Sequence, residues 1–130
     1  MASVEWFGRP VINVKNVEAS IRFYVDKLGF QLDWRFGEPI EVCEVWRGKC
    51  QLILCEHFQD KVGKSLQFLA FDAGSRDAEI AAVDAFRAEI EGRGVTVKEG
   101  RWGYRVLVID DLDGNQIFVP YPNEPGQPPA

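Results

Sequence analysis

The chain holds few side chains able to do covalent or metal chemistry. Its one histidine is His57, and its three cysteines are Cys43, Cys50 and Cys55. Cys55 and His57 stand two apart, a spacing that sets a thiol and an imidazole on one side of an extended strand. Nothing else in the sequence marks them as a nucleophile and its base, and His57 opens a polar stretch that reads as solvated. His57 with Glu56 or Glu44 is the one grouping with metal-type donors, and a lone histidine is a weak basis for a metal centre. No CxxC pair, GxSxG elbow or glycine-rich phosphate loop is present in the sequence. The cysteines are expected to be buried, reduced thiols. A carboxylate such as Glu44 could serve as a base for proton abstraction.

Aromatic side chains are plentiful instead. There are four tryptophans, nine phenylalanines and three tyrosines. Core packing accounts for most of the phenylalanines. Trp46, by strand parity, and Trp102 and Tyr104, at the mouth of a hairpin, are placed to meet a planar ligand. Offset stacking adds about 0.5–1.5 kcal/mol beyond area burial, and a cation over a tryptophan face about 0.5–2 kcal/mol. The net charge of -5 disfavours nucleic acid, which needs a basic face, and attracts cations. Hydrophobic residues at 46% and charged residues at 27% fit a globular chain. No apolar run approaches the roughly 20 residues that span a bilayer, and no signal pattern opens the sequence. A cytoplasmic protein with no membrane partner is expected.

The elements that would carry these groups follow from periodicity. Val11 to Val14 has strand character, and Asn16 is an N-cap for a helix from about Val17 to Leu28 that Gly29 ends. Strands are expected at Gln31 to Phe36, Ile40 to Trp46 and Lys49 to Glu56, the last two joined across Arg47-Gly48. His57 to Lys64 reads as a loop. The order then restarts: a strand from Leu66 to Phe71, a helix capped by Ser75 or Asp77 and running to about Glu91, and strands at Val95 to Lys98, Arg105 to Ile109 and Gln116 to Tyr121. "RPVINV" (9–14) lies over "LQFLAF" (66–71), and "QLIL" (51–54) over "FVPY" (118–121), an internal duplication. The expected organisation is one domain, 1–130, with module one at about 9–57, module two at about 65–122 and a flexible proline-rich tail at 123–130. A tight turn at Arg47-Gly48 would face Glu44 with Gln51 and Val45 with Cys50. Cys43, Val45, Cys50, Leu52 and Leu54 then share an apolar side, while Val42, Glu44, Trp46, Lys49, Gln51, Ile53 and Cys55 share a mixed one suited to a ligand.

"VKNVEASIRFYVDKLGFQ" (14–31) and "DDLDGNQIFV" (110–119) make the chain resemble the vicinal oxygen chelate superfamily of glyoxalases, bleomycin-resistance proteins and dioxygenases, over about 9–121. The resemblance implies an α+β fold of two βαβββ modules whose sheets curl around a cavity, and a homodimer. It also implies four places where metal-using members carry His or Glu. These fall at Arg9, Gln51, Leu66 and Phe118, which are poor or impossible ligands for a divalent ion. No metal and no cofactor is therefore expected, and no catalytic residue. Phe118 puts a ring where a carboxylate would coordinate. The nearest resemblance is to bleomycin-resistance proteins, which implies sequestration of a cationic or aromatic, antibiotic-like small molecule. The expected ligand-binding residues are Arg9, Glu44, Trp46, Gln51, Leu66, Trp102, Tyr104 and Phe118. The alternative is a glyoxalase-like lyase or isomerase using a displaced metal or a carboxylate base. A regulatory, partner-binding domain is a third reading.

Overall fold

Both halves of the chain build the same unit, which is why the sequence aligns with itself. The computed structural model describes residues 3–122; the tail expected at 123–130 lies outside them. Module one contains β1 (Val11–Asn13), α1 (Val17–Ile21), β2 (Gln31–Phe36), β3 (Val42–Arg47) and β4 (Cys50–Cys55). Module two contains β5 (Leu66–Phe68), α2 (Arg76–Glu91), β6 (Lys98–Arg101), β7 (Arg105–Asp110) and β8 (Gln116–Pro120). The sheets run β1-β4-β3-β2 and β5-β8-β7-β6. In each, the first strand pairs parallel with the fourth and the other pairs are antiparallel. The architecture is α+β with two βαβββ modules. Among the described residues no helix is long and apolar enough to cross a membrane.

Local chemistry explains the helix ends. The Asn16 side chain accepts from Ala19 N at 2.8 Å, and the Glu56 carboxylate accepts from Val17 N at 2.9 Å, so two groups cap the start of α1. The expected α-helix to Leu28 is shorter. After Ile21 the turns widen into a π-helical segment, Arg22–Lys27, and Leu28 N donates to Phe23 O. Apolar spacing at 17, 21, 24, 25 and 28 is compatible with either winding and could not tell them apart. Ser75, not Asp77, caps α2, and Val83, Phe86 and Ile90 are its buried face.

Two strand assignments shift for identifiable reasons. Val95 and Val97 are buried at 8% and 9% exposure, but pairing starts only at Lys98, opposite Val108. Their alternation records burial rather than a ladder. The β3–β4 hairpin has Arg47 opposite Cys50, so Gly48-Lys49 is the turn and Glu44 faces Ile53 rather than Gln51. Gly48 has φ +58 and Lys49 does not have positive φ. A two-residue hairpin turn with glycine first matches the twist of the strands, whereas Arg47 in that place would be strained. The register moves by two residues, so every side chain keeps its expected face.

One apolar core joins the modules. Ile12, Val14, Tyr24, Leu28, Val45, Leu52 and Leu54 meet Val83, Phe86, Ile90, Leu107, Ile109, Ile117 and Val119. The acidic turn after β7 latches the halves together. Asp111 accepts from the Tyr24 hydroxyl at 2.8 Å, from the backbone N–H groups of Asp113 and Asn115 at 2.9 Å, and from Asn115 Nδ2 at 3.0 Å. Asn115 Nδ2 also donates to Asn13 O, and its Oδ1 accepts from Ser65 N and Oγ. The buried side chains of Asp111 and Asn115 thus find partners, as burial demands.

Candidate functional site

Because side chains alternate along a strand, each sheet presents one side to the common core and one away from it. The outer side of the first sheet carries Val42, Glu44, Trp46, Gln51, Ile53 and Cys55. The outer side of the second carries Leu66, Phe68, Val108, Gln116 and Phe118. The eight residues singled out from the sequence fall into two sets: Arg9, Glu44, Trp46 and Gln51 belong to the first sheet, and Leu66, Trp102, Tyr104 and Phe118 to the second. Both outer sides lie opposite the shared core, so a single chain does not fold one over the other.

On the first sheet the chemistry centres on Glu44. It is 2% exposed, and Arg9 Nε approaches its Oε1 at 3.2 Å. Oε1 makes no well-directed hydrogen bond among the described residues, so the pair is held by charge. Opposite Glu44, β2 is irregular: Leu32 pairs with Val45 and Arg35 with Cys43, leaving Asp33 and Trp34 together against one residue of β3. Such a bulge re-aims side chains. Burial, chiefly, and then the Asp33 carboxyl push the Glu44 carboxyl above its ordinary range, while Arg9 and Trp34 pull it back. Asp33 and Trp34 were not anticipated as site residues. The strand pattern of β2 was legible, but a one-residue bulge leaves no mark in it.

On the second sheet the outer side is a cluster of rings. Phe68 stands edge-on to Trp102 at 5.7 Å and to Tyr104 at 6.4 Å, and Trp102 to Phe118 at 6.1 Å. Trp102 is 57% and Phe68 42% exposed, although both are large and apolar. The sequence points to Leu66 here, and Phe68 stands beside Phe118. The strand register explains it: β5 pairs Phe68 with Phe118 and Leu66 with Gln116. On the first sheet, Val11 pairs with Ile53, so the same register carried upstream brings Arg9 level with Gln51. The residue beside Phe118 that corresponds to Arg9 is therefore Phe68. Alternation in "LQFLAF" already put Leu66 and Phe68 on one side; only the pairing distinguishes them.

Neither set resembles a metal centre. Arg9, Gln51, Leu66 and Phe118 supply none of the carboxylate or imidazole donors that a divalent ion requires, and Glu44, the one carboxylate of the first set, is already met by Arg9. No group of three or more His, Cys, Asp or Glu side chains capable of holding an ion occurs among the described residues. His57 Nε2 instead meets Glu41 Oε1 at 3.5 Å, and Glu56 is occupied in capping α1. Two of the thiols are not activated either. Burial pushes Cys43 up to about 11 and raises Cys50. Cys55 Sγ accepts the His57 backbone N–H.

A family profile described as the Glyoxalase/Bleomycin resistance protein/Dioxygenase superfamily matches residues 6–119. No curated protein matches the chain. Among solved structures, the chain is similar to TnmS3, an antibiotic binding protein from a Streptomyces species, at 25% identity and TM-score 0.69, covering 94% of this chain and 100% of that one. It is similar in fold to the bleomycin-binding protein of Streptomyces verticillus complexed with copper(II)-bleomycin, at 22% identity and TM-score 0.66, covering 93% and 100%. It is likewise similar in fold to lactoylglutathione lyase from Agrobacterium tumefaciens, at 18% identity and TM-score 0.68, covering 91% and 95%.

Proposed function

Since the chain belongs to the glyoxalase/bleomycin resistance protein/dioxygenase superfamily, we propose that it is a metal-free small-molecule binding protein that sequesters a cationic or aromatic, antibiotic-like ligand. The observation that carries the reading is the ring cluster of the exposed Phe68 and Trp102 with the half-buried Tyr104 and Phe118. Contiguous apolar surface of this kind marks a binding surface. Edge-on rings leave faces free to stack on a planar guest, and Trp102 offers a face to a cation. Three or four such contacts with the desolvation they bring reach the roughly 8 kcal/mol of micromolar affinity. The similarity to an antibiotic binding protein at 25% identity is consistent with it.

The site is completed by a second copy of the chain. The first sheet brings the buried acid Glu44, with Arg9, Trp46 and Gln51, and the second sheet brings the rings. In a homodimer, the first sheet of one copy would cover the second sheet of the other and enclose the guest between them. The test is a bleomycin titration followed by tryptophan fluorescence, with sedimentation to read the oligomeric state. Saturable quenching that falls about tenfold in affinity in Trp102→Ala is expected. No change at high micromolar drug would count against bleomycin as the guest, and a monomer that binds equally well would count against the shared site.

A second reading rests on Glu44 itself. A buried carboxyl with a raised pKa on a ligand-facing sheet is the usual setting of a general base, which fits a glyoxalase-like lyase or isomerase. Turnover of a glutathione hemithioacetal that is lost in Glu44→Gln would support it. Stoichiometric zinc, nickel, manganese or iron in purified protein would overturn the metal-free assignment.

A further inference from the structure

A cavity of about 680 Å3 lies apart from both outer sheet sides, between the β3–β4 hairpin, the 69–73 segment and α2. None of the eight residues above lines it. Its walls come from both modules: Phe30, Arg47 and Cys50 from the first, and Phe71, Phe86 and Val119 from the second. It stays open because Ala70, Ala73, Ala82 and Gly48 stand where larger side chains would fill it. The volume is that of an ordinary small-molecule site, roughly 300–1,000 Å3.

The polar groups at this cavity are few and fixed. The Arg47 guanidinium donates to Glu89 at 2.7 and 3.0 Å and to Leu28 O at 2.7 Å, and it lies 5.2 Å over the Phe86 ring. Glu89 also binds Arg93 at 2.8 Å, so one carboxylate is shared by two guanidinium groups. Lys49 is exposed at the rim with no hydrogen bond or ion pair among the described residues. Asp72 is turned onto its own loop, where Oδ1 accepts from Gly74 N. The lining therefore combines ring faces with surplus positive charge, the reverse of the acidic Glu44 side of the first sheet.

We propose that this cavity is a second small-molecule site, one that takes an amphipathic anion. The flat apolar body would lie against Phe71 and Phe86, and the carboxylate or sulfonate would meet Lys49 and the edge of Arg47. A guest there would bridge the two modules.

The probe is 8-anilinonaphthalene-1-sulfonate with the full chain, read by dye fluorescence and by iodoacetamide alkylation of Cys50 followed by mass spectrometry. Cys43 and Cys55, at 0% and 4% exposure, are internal references. Saturable dye binding that slows Cys50 alkylation about tenfold is expected. Lys49→Glu, an exposed change that leaves the fold intact, should weaken the dye by about tenfold, and Ala82→Phe should exclude it. Trp102→Ala should leave dye binding unchanged. Dye binding that leaves Cys50 unprotected, that ignores Lys49→Glu, or that disappears in Trp102→Ala would overturn the proposal. These readouts stand apart from bleomycin binding, so either site can fail without the other.

Discussion

Removing the Arg9 guanidinium should destabilise the fold at neutral pH and much less in acid. The two charged groups lie 3.2 Å apart, with side-chain exposures of 36% for Arg9 and 3% for Glu44. At an effective dielectric constant of about 20, that separation corresponds to about 5 kcal/mol of attraction. Arg9 is more than a third exposed, so water screens it. The effect of deletion then falls between that of surface pairs, about 0–1 kcal/mol, and that of buried ones, about 3–5 kcal/mol; about 1–2 kcal/mol is expected. An unfolding entropy of about 2.1 cal/mol/K per residue gives about 0.27 kcal/mol/K for the chain, so Arg9→Ala should lower Tm by about 4–7 °C. Burial already raises the Glu44 pKa, and Arg9 opposes the rise. A carboxyl whose folded pKa lies above its unfolded value destabilises the fold as pH climbs from the unfolded value through the folded one. That penalty is absent below the unfolded value, near 4.5. Without Arg9 the penalty grows, so the Tm gap between Arg9→Ala and wild type should be full at about pH 7 and should close toward about pH 4. In a Glu44→Gln background, Arg9→Ala should cost little, leaving a coupling of about 1–2 kcal/mol in the double-mutant cycle. The Arg9 guanidinium also lies 5.1 Å over the Phe7 ring, and a loss independent of pH, or a coupling below about 0.3 kcal/mol, would show that Arg9 matters only through that packing.

Tyr24→Phe removes one of the four hydrogen bonds to Asp111. The urea midpoint should fall by the equivalent of about 1–2 kcal/mol with an unchanged m-value, and no loss would mean that the Asn115–Asn13 bond and the apolar core hold the modules without it. Gly63 has φ +78, and a Cβ there would run into the Asp113 carbonyl oxygen. Gly63→Ala should therefore cost about 2–4 kcal/mol, read by the same unfolding curve. Glu89 has its pKa lowered, first by its hydrogen bond to Arg47. Its contribution is present above the unfolded value and is lost as pH falls through the folded one, so Glu89→Gln should be less stable than wild type at about pH 7 and should converge with it in acid. A gap that persisted at about pH 3 would show that the carboxylate charge is not what stabilises that junction.

Much of this fold can be read in the sequence because duplication doubles each signal. Asn16 and Ser75 each begin a helix, and apolar alternation assigns the inner and outer sides of β3, β4 and β8. Parity survived even where register did not: the hairpin turn lies at Gly48-Lys49 rather than Arg47-Gly48, and a shift of two leaves every side chain on its face. Three things were hidden. The bulge at Asp33-Trp34 and the π-helical turns after Ile21 add one residue to a local count, which periodicity over a short window cannot register. The pairing of Phe68 with Phe118 depends on a parallel register between strands 50 residues apart, which no local pattern encodes. The large cavity is framed by alanines at 70, 73 and 82, and small residues in a sequence look the same whether they sit against a wall or a void.

The motif that identifies the family here is separate from what would give the chain its function. Asp111 and Asn115 are used up in joining module two to Tyr24 and Asn13 and in anchoring Ser65, so their presence fixes the shell and says nothing of what the shell holds. On the proposed reading specificity comes from the outer sheet sides, and these differ in kind. On the first, Glu44 already has an internal cation in Arg9, at a distance a bound guanidinium or ammonium would adopt. A cationic guest gains little there unless it displaces Arg9. On the second, no cation–ring contact to Phe68, Trp102, Tyr104 or Phe118 occurs among the described residues, and a desolvated cation over a tryptophan face is worth about 2 kcal/mol. On that reading the aromatic face is the stronger determinant of which guest is held, with the acid as a second contact open to guests that can move Arg9 aside.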